Sequence, residues 1–175
     1  MRLPALLVCT ALALSLPQLA HADEVVRPDA GNLSLSLGIP SGGNDYAAGA
    51  AGLWWMLSDR LNLGFNVGLG FDFDDDTRDY EMILAPTLRF YLTEGGQIAP
   101  FILGQVSLQV FENDFEDMDA GFGFTGGLGA ELWVLSELSI AGHVGMGFLL
   151  YDGRGSSARV GTFTSGLTAN LYFDL

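Results

Sequence analysis

Residues 61–73 constrain this chain more than any other stretch. Leu61, Leu63, Phe65, Val67, Leu69, Phe71 and Phe73 alternate with Asn62, Gly64, Asn66, Gly68, Gly70 and Asp72. Successive side chains of an extended strand point to opposite faces, so the segment predicts a strand with one apolar face and one small, polar face. At about 3.3 Å per residue and a tilt of about 45°, it rises roughly 30 Å, enough to cross the apolar band of a membrane.

The alternation recurs along the chain. A first strand sets Leu33, Leu35, Leu37 and Ile39 against Ser34, Ser36 and Gly38. A second, about residues 47–57, is apolar or small on both faces, which leaves the facing of Trp54 and Trp55 open. The fourth alternates Tyr80, Met82, Leu84, Pro86, Leu88 and Phe90 with Glu81, Ile83, Ala85, Thr87, Arg89 and Tyr91. Pro86 lacks an N–H for the ladder, so a bulge or local irregularity is expected there. The fifth places Phe101, Leu103, Gln105, Ser107 and Gln109 on one face; the sixth places Glu131 and Trp133 among glycines on the same face. The seventh turns Ser139, Ala141 and His143 that way, and residues 160–175 alternate to Phe173 and Leu175. The chain also offers three short turns (57–61, 92–97, 135–138) and four longer loops (40–45, 72–79, 112–119, 151–159). Short turns at one end and longer charged loops at the other make a repeated hairpin with the asymmetry of outer-membrane barrels.

Alternation alone does not say which face is inside. A soluble barrel would turn the apolar face inward. Here the other face is built of Gly, Ser, Thr, Asn and Gln and nearly lacks the charges a wet surface needs, whereas small residues suit the crowded interior of eight strands. Aromatic residues gather at strand ends. Trp54, Trp55, Phe90, Tyr91, Trp133 and Phe173 lie near the turns; Phe71, Phe73, Tyr80, Phe111, Phe122, Phe148 and Tyr151 lie near the loops. Two girdles are expected, one at each membrane interface.

The first 22 residues carry Arg2, a short apolar core and Ala20-His21-Ala22, the pattern of a cleavable signal peptide. The core is too short to span a bilayer as a helix. The domain reading is therefore a signal peptide at 1–22, a short periplasmic leader at 23–30 and a barrel at 31–175. Cleavage would remove Cys9, the one cysteine, and with it any disulfide or thiol chemistry. It would leave six Arg, no Lys and 21 acids, so 6 − 21 gives −15. That charge argues against nucleic acid, whose binding needs cationic neutralisation of phosphate.

The fold class expected is all-β: an eight-stranded antiparallel up-and-down transmembrane β-barrel. The alternation, the 57–61 and 135–138 turns and the final strand resemble the small eight-stranded outer-membrane proteins, namely the OmpA transmembrane domain and its OmpX-like and opacity-protein relatives. The resemblance implies a non-enzymatic, monomeric protein in the outer membrane of a Gram-negative-type bacterium, with turns periplasmic and acidic loops extracellular. It implies lipid and lipopolysaccharide as surroundings and the barrel-assembly machinery as a partner in biogenesis. That family's terminal signal ends in an aromatic with a Gly five residues earlier; Leu175 and Asn170 stand in those places here. The role expected is structural or at the cell surface, with a narrow channel or small-ligand barrel as the alternative.

Three groups of residues are candidates for chemistry. Arg89, Glu131 and His143 fall on the lumen face at similar heights, where Arg89 and Glu131 form a structural pair or, with His143, a gate. Asp72, Asp74, Asp75, Asp76, Asp79 and Glu81, with Glu112, Asp114, Glu116, Asp117 and Asp119, form two acidic runs. These are solvated loops or loose Ca²⁺ or Mg²⁺ sites; neither fits the EF-hand pattern, and no firm metal site or other cofactor is predicted. Inward glycines (Gly64, Gly68, Gly121, Gly123, Gly127, Gly129, Gly145, Gly147) either relieve crowding or line a cavity. An acyltransferase or deacylase would need its histidine at the lipid-facing rim, and His143 lies on the inner face near the turns.

Overall fold

Each strand pairs antiparallel with its sequence neighbours, and the last pairs with the first. The computed structural model describes residues 27–40, 51–73, 78–113, 117–152 and 157–173, with side chains described except at 39–40, 70–73, 78–81, 111–119, 151–152 and 157–164. The order is β1 (Leu33–Pro40), β2 (Ala51–Ser58), β3 (Leu61–Phe73), β4 (Arg78–Tyr91), β5 (Ile98–Asn113), β6 (Asp117–Trp133), β7 (Leu138–Asp152) and β8 (Ser157–Phe173). The β1–β8 seam runs from Leu33↔Phe173 to Pro40↔Gly166. Among the described residues every strand has a partner strand on both sides, which is how an all-β sheet avoids pairing with another chain.

The period-two pattern sets the two faces. Leu37, Phe65, Leu69, Leu128, Val144 and Met146 are exposed on the outside, while Ser34, Ser36, Asn62, Ile83, Thr87, Gln105 and Asn170 are buried within. A closed wall whose outer face is apolar pairs its backbone groups within the sheet and suits hydrocarbon rather than water. This is a transmembrane barrel.

One question that the sequence left open is settled, and three expectations are refined. Trp54 is 2% exposed and Trp55 49%, so Trp54 is the lumen residue and Trp55 the outer one. The turn-end girdle divides in the same way. Trp55, Phe90 and Phe173 face outward, but Trp54, Tyr91 and Trp133 share strand parity with buried residues and fill the lumen. At the loop end Phe122 and Phe148 face outward. Pro86 brings the expected local irregularity without a bulge: β4 keeps one register with β3 through Phe65↔Pro86, and with β5 the ladder skips Ala85 and Pro86, passing from Leu84↔Leu108 to Thr87↔Gln105 unshifted. The missing N–H therefore interrupts pairing without displacing the strand. Register shifts lie instead at Met56/Ser58, against β3, and at Gly147/Phe148, against β8.

The third refinement concerns the loops. Asp72 pairs with Asp79, Glu112 with Met118 and Phe111 with Asp119, and Asn113 pairs with Asp117, so both hairpins continue into the acidic runs. Ladder hydrogen bonds hold the backbone there against the weak strand propensity of acids. Tyr151 and Ser157 are likewise paired strand residues. Asp74, Asp75, Asp76, Asp114 and Glu116, the side chains of the other acidic-run residues, the signal peptide, residues 23–26, the start of the second strand at 47–50 and Leu175 lie outside the described residues.

Candidate functional site in the turn end of the lumen

Glu131 stands at the turn end of β6, inward by the alternation that turns Ala130 outward. Its paired neighbours are Ala99 on β5 and Ala141 on β7, both buried, and their small side chains leave room beside the carboxylate. Donors from three strands fill that room. Tyr91 Oη donates to Oε2 at 2.5 Å, and Arg89 Nη1 approaches the same oxygen at 3.5 Å. Asn170 Nδ2 and Tyr172 Oη each donate to Oε1 at 3.0 Å, and Ser139 Oγ donates there as well. An ionised carboxylate is acceptor-only with about four lone-pair sites, so these donors saturate it. Asn62 Nδ2 lies 3.4 Å from both tyrosine hydroxyls and ties β3 into the cluster.

Arg89 forms the next layer. Its Nη2 reaches Thr168 Oγ1 at 3.3 Å, and its guanidinium lies 3.8 Å from the Trp54 ring centroid and 5.1 Å from that of Phe101. Trp54 is anchored by Nε1 donating to Ser36 Oγ at 2.9 Å. A flat cation between two rings fills volume and keeps its charge favourably placed against the ring faces.

Glycines create these positions. A β-carbon at Gly64 would stand 2.4 Å from the Trp54 ring, its paired neighbour on β2. At Gly52 it would meet Asn66 Oδ1 at 2.2 Å, and at Gly123, Ser107 Oγ at 2.4 Å. At these places the inward glycines receive side chains from the neighbouring strand and do not open a cavity.

The structure brings Arg89 and Glu131 together and places His143 off the level of Glu131. Glu131 pairs with Ala141, so His143 stands two residues farther along β7, level with Gly129 and Gly166. Its ring packs over Gly166, where a β-carbon would be 2.6 Å from Cε1. Sequence reasoning missed Tyr91, Ser139, Asn170 and Tyr172 as partners of Glu131. Their inward parity was readable; which strands would bring them level with Glu131 depended on register. It also missed Arg27, which the leader places over Tyr91 with the guanidinium 3.7 Å from the ring centroid. Among the described residues no group of three or more His, Cys, Asp or Glu side chains is arranged to hold a metal.

Solved structures share this architecture across the whole of their barrels. The N-terminal β-barrel domain of Pseudomonas aeruginosa OprF matches with a TM-score of 0.54 and 12% identity, over 83% of this chain and 100% of that one. The Escherichia coli outer membrane protein W matches with 0.54 and 12%, over 83% and 99%. Neisserial surface protein A matches with 0.52 and 10%, over 81% and 95%. The fold is that of the small eight-stranded outer-membrane barrels. No protein-family model matches the sequence, and no curated protein does. The likeness of this barrel to the others is one of fold, carried by architecture rather than by shared residues.

Proposed function

We propose that the protein is a non-enzymatic outer-membrane barrel that acts as a structural or surface-interaction element, with its lumen closed at the turn end. The observation that carries this is the layer around Glu131. Trp133, Arg89, Tyr91, Phe101, Met56 and Glu131 are all fully buried there, and the carboxylate is bonded from β4, β7 and β8. A cross-section packed with bonded side chains leaves no continuous water path. Purified protein refolded into planar bilayers should be electrically silent; steady single-channel currents would overturn the closed-lumen reading in favour of a narrow channel.

In this reading the turns face the periplasm and the acidic hairpins face outward, among lipopolysaccharide phosphates. The barrel-assembly machinery inserts the chain, and it works as a monomer. Like-charged hairpins beside phosphates favour loosely bridging Ca²⁺ or Mg²⁺. Chelator should then lower the thermal stability of the native protein but not that of a variant with both acidic runs neutralised. Equal effects on the two would remove the cations from the account.

A further inference from the structure

The chain ahead of β1 does not leave the barrel. Asn32 N contacts Asp29 O at 3.5 Å across a reversal whose third residue, Gly31, has φ of +102°. Gly31 N donates to Met56 O at 2.7 Å, and Met56 N to Asn32 O at 2.9 Å, which fixes the reversal to the turn end of β2. Beyond it Arg27 is only 7% exposed. Its Nη1 donates to the Thr93 carbonyl in the β4–β5 turn at 3.1 Å. Its guanidinium covers the Tyr91 ring at 3.7 Å and lies 6.0 Å from the Trp133 ring centroid.

We propose that residues 27–32 form a latch across the turn-end mouth of the barrel, with Arg27 as its bolt and Gly31 as its hinge. The hinge needs glycine because side-chain-bearing residues rarely adopt that φ, although nothing stands within 4 Å of where a β-carbon would project. The bolt needs arginine because one planar group both stacks on an aromatic face and donates to a carbonyl. The latch lies outside the Glu131 layer and in series with it. Arg27 covers Tyr91, whose hydroxyl is bonded to Glu131, so the two closures share one side chain. Displacing the leader would open the mouth from the turn side while the wall stays paired.

The test reads the mouth and not conduction, so the latch and the closed-lumen reading can fail separately. In full-length protein carrying Trp54→Phe and Trp55→Phe, Trp133 is the only tryptophan, and acrylamide quenching reports access to it. Arg27→Ala should raise the quenching constant severalfold with heat-modifiable migration unchanged; Arg27→Lys should fall between. Gly31→Ala, which alters only the hinge, should raise it too and serves if Arg27→Ala does not fold. A matched protein with Trp54 alone, one layer deeper, should show no change. Unaltered Trp133 quenching in the folded variants, or an equal rise at Trp54, would overturn the latch.

Discussion

The Phe101 ring occupies the space that any side chain at Gly129 would need. A β-carbon there would stand 2.3 Å from Phe101 Cζ and 2.5 Å from the Gly142 carbonyl oxygen. The ring can rotate away but the carbonyl belongs to the β6–β7 ladder and cannot. Gly129→Ala should therefore destabilise the barrel by about 1–3 kcal/mol, the usual range for overpacking. Adding Phe101→Leu should recover only part of the loss. Urea unfolding in lipid vesicles measures both, and full recovery would mean that the carbonyl contact is unimportant.

Removing one member of a buried ion pair leaves the other unmatched. Glu131→Ala should cost about 3–5 kcal/mol, because Arg89 would keep Thr168 and two rings but no carboxylate among its partners in the described residues. Replacing both, as Arg89→Met with Glu131→Leu, should lie closer to the parent than Glu131→Ala does. The comparison is a denaturation midpoint for each variant. A double variant less stable than the single would show that the pair contributes more than relief of an unpaired charge.

The two tyrosines around Glu131 are not equivalent. Tyr91 shares Oε2 only with the longer Arg89 contact, whereas Tyr172 shares Oε1 with Asn170 and Ser139. Tyr91→Phe should lose about 1.5–3 kcal/mol, the range for a hydrogen bond to a charged group, and Tyr172→Phe should lose less. The reverse order in unfolding experiments would contradict the arrangement of donors on the carboxylate.

Trp54 and Trp55 are adjacent in sequence and lie on opposite sides of the wall. In single-tryptophan proteins, lipids brominated on the acyl chain should quench Trp55 strongly and leave Trp54 almost unquenched. Trp54→Ala should cost about 3–5 kcal/mol through the cavity it leaves around Arg89. Trp55→Ala should disturb stability far less. Equal quenching of the two would be incompatible with the facing of β2.

Much of the wall was readable from residue alternation. Strands such as 61–73 announce both their faces, and a ring built mostly of them with an apolar outside leaves lipid as the medium. The second strand resisted, because Ala51, Leu53 and Trp55 differ too little from Gly52, Trp54 and Met56 for period two to choose a side. Charge on the inner face flagged Arg89 and Glu131, since so few other charges fall there. The hydroxyl and amide partners carried no such flag. Ser139, Asn170 and Tyr172 look like ordinary lumen residues until register sets them level with Glu131. Arg27 was hidden for a different reason: it lies outside any periodic segment, and only the reversal at Gly31 brings it over Tyr91.

The seam between Leu33 and Phe173 is antiparallel like every other joint in the wall, and it runs without a register shift. The ring of strands therefore has no privileged starting point. A circular permutant that joined the chain across this seam and opened it at one of the acidic hairpins would keep all eight ladders. It would lose the free approach by which Arg27 crosses the mouth. The order of the strands and the closure of the floor are thus separable: one belongs to the ring, the other to where the chain enters it.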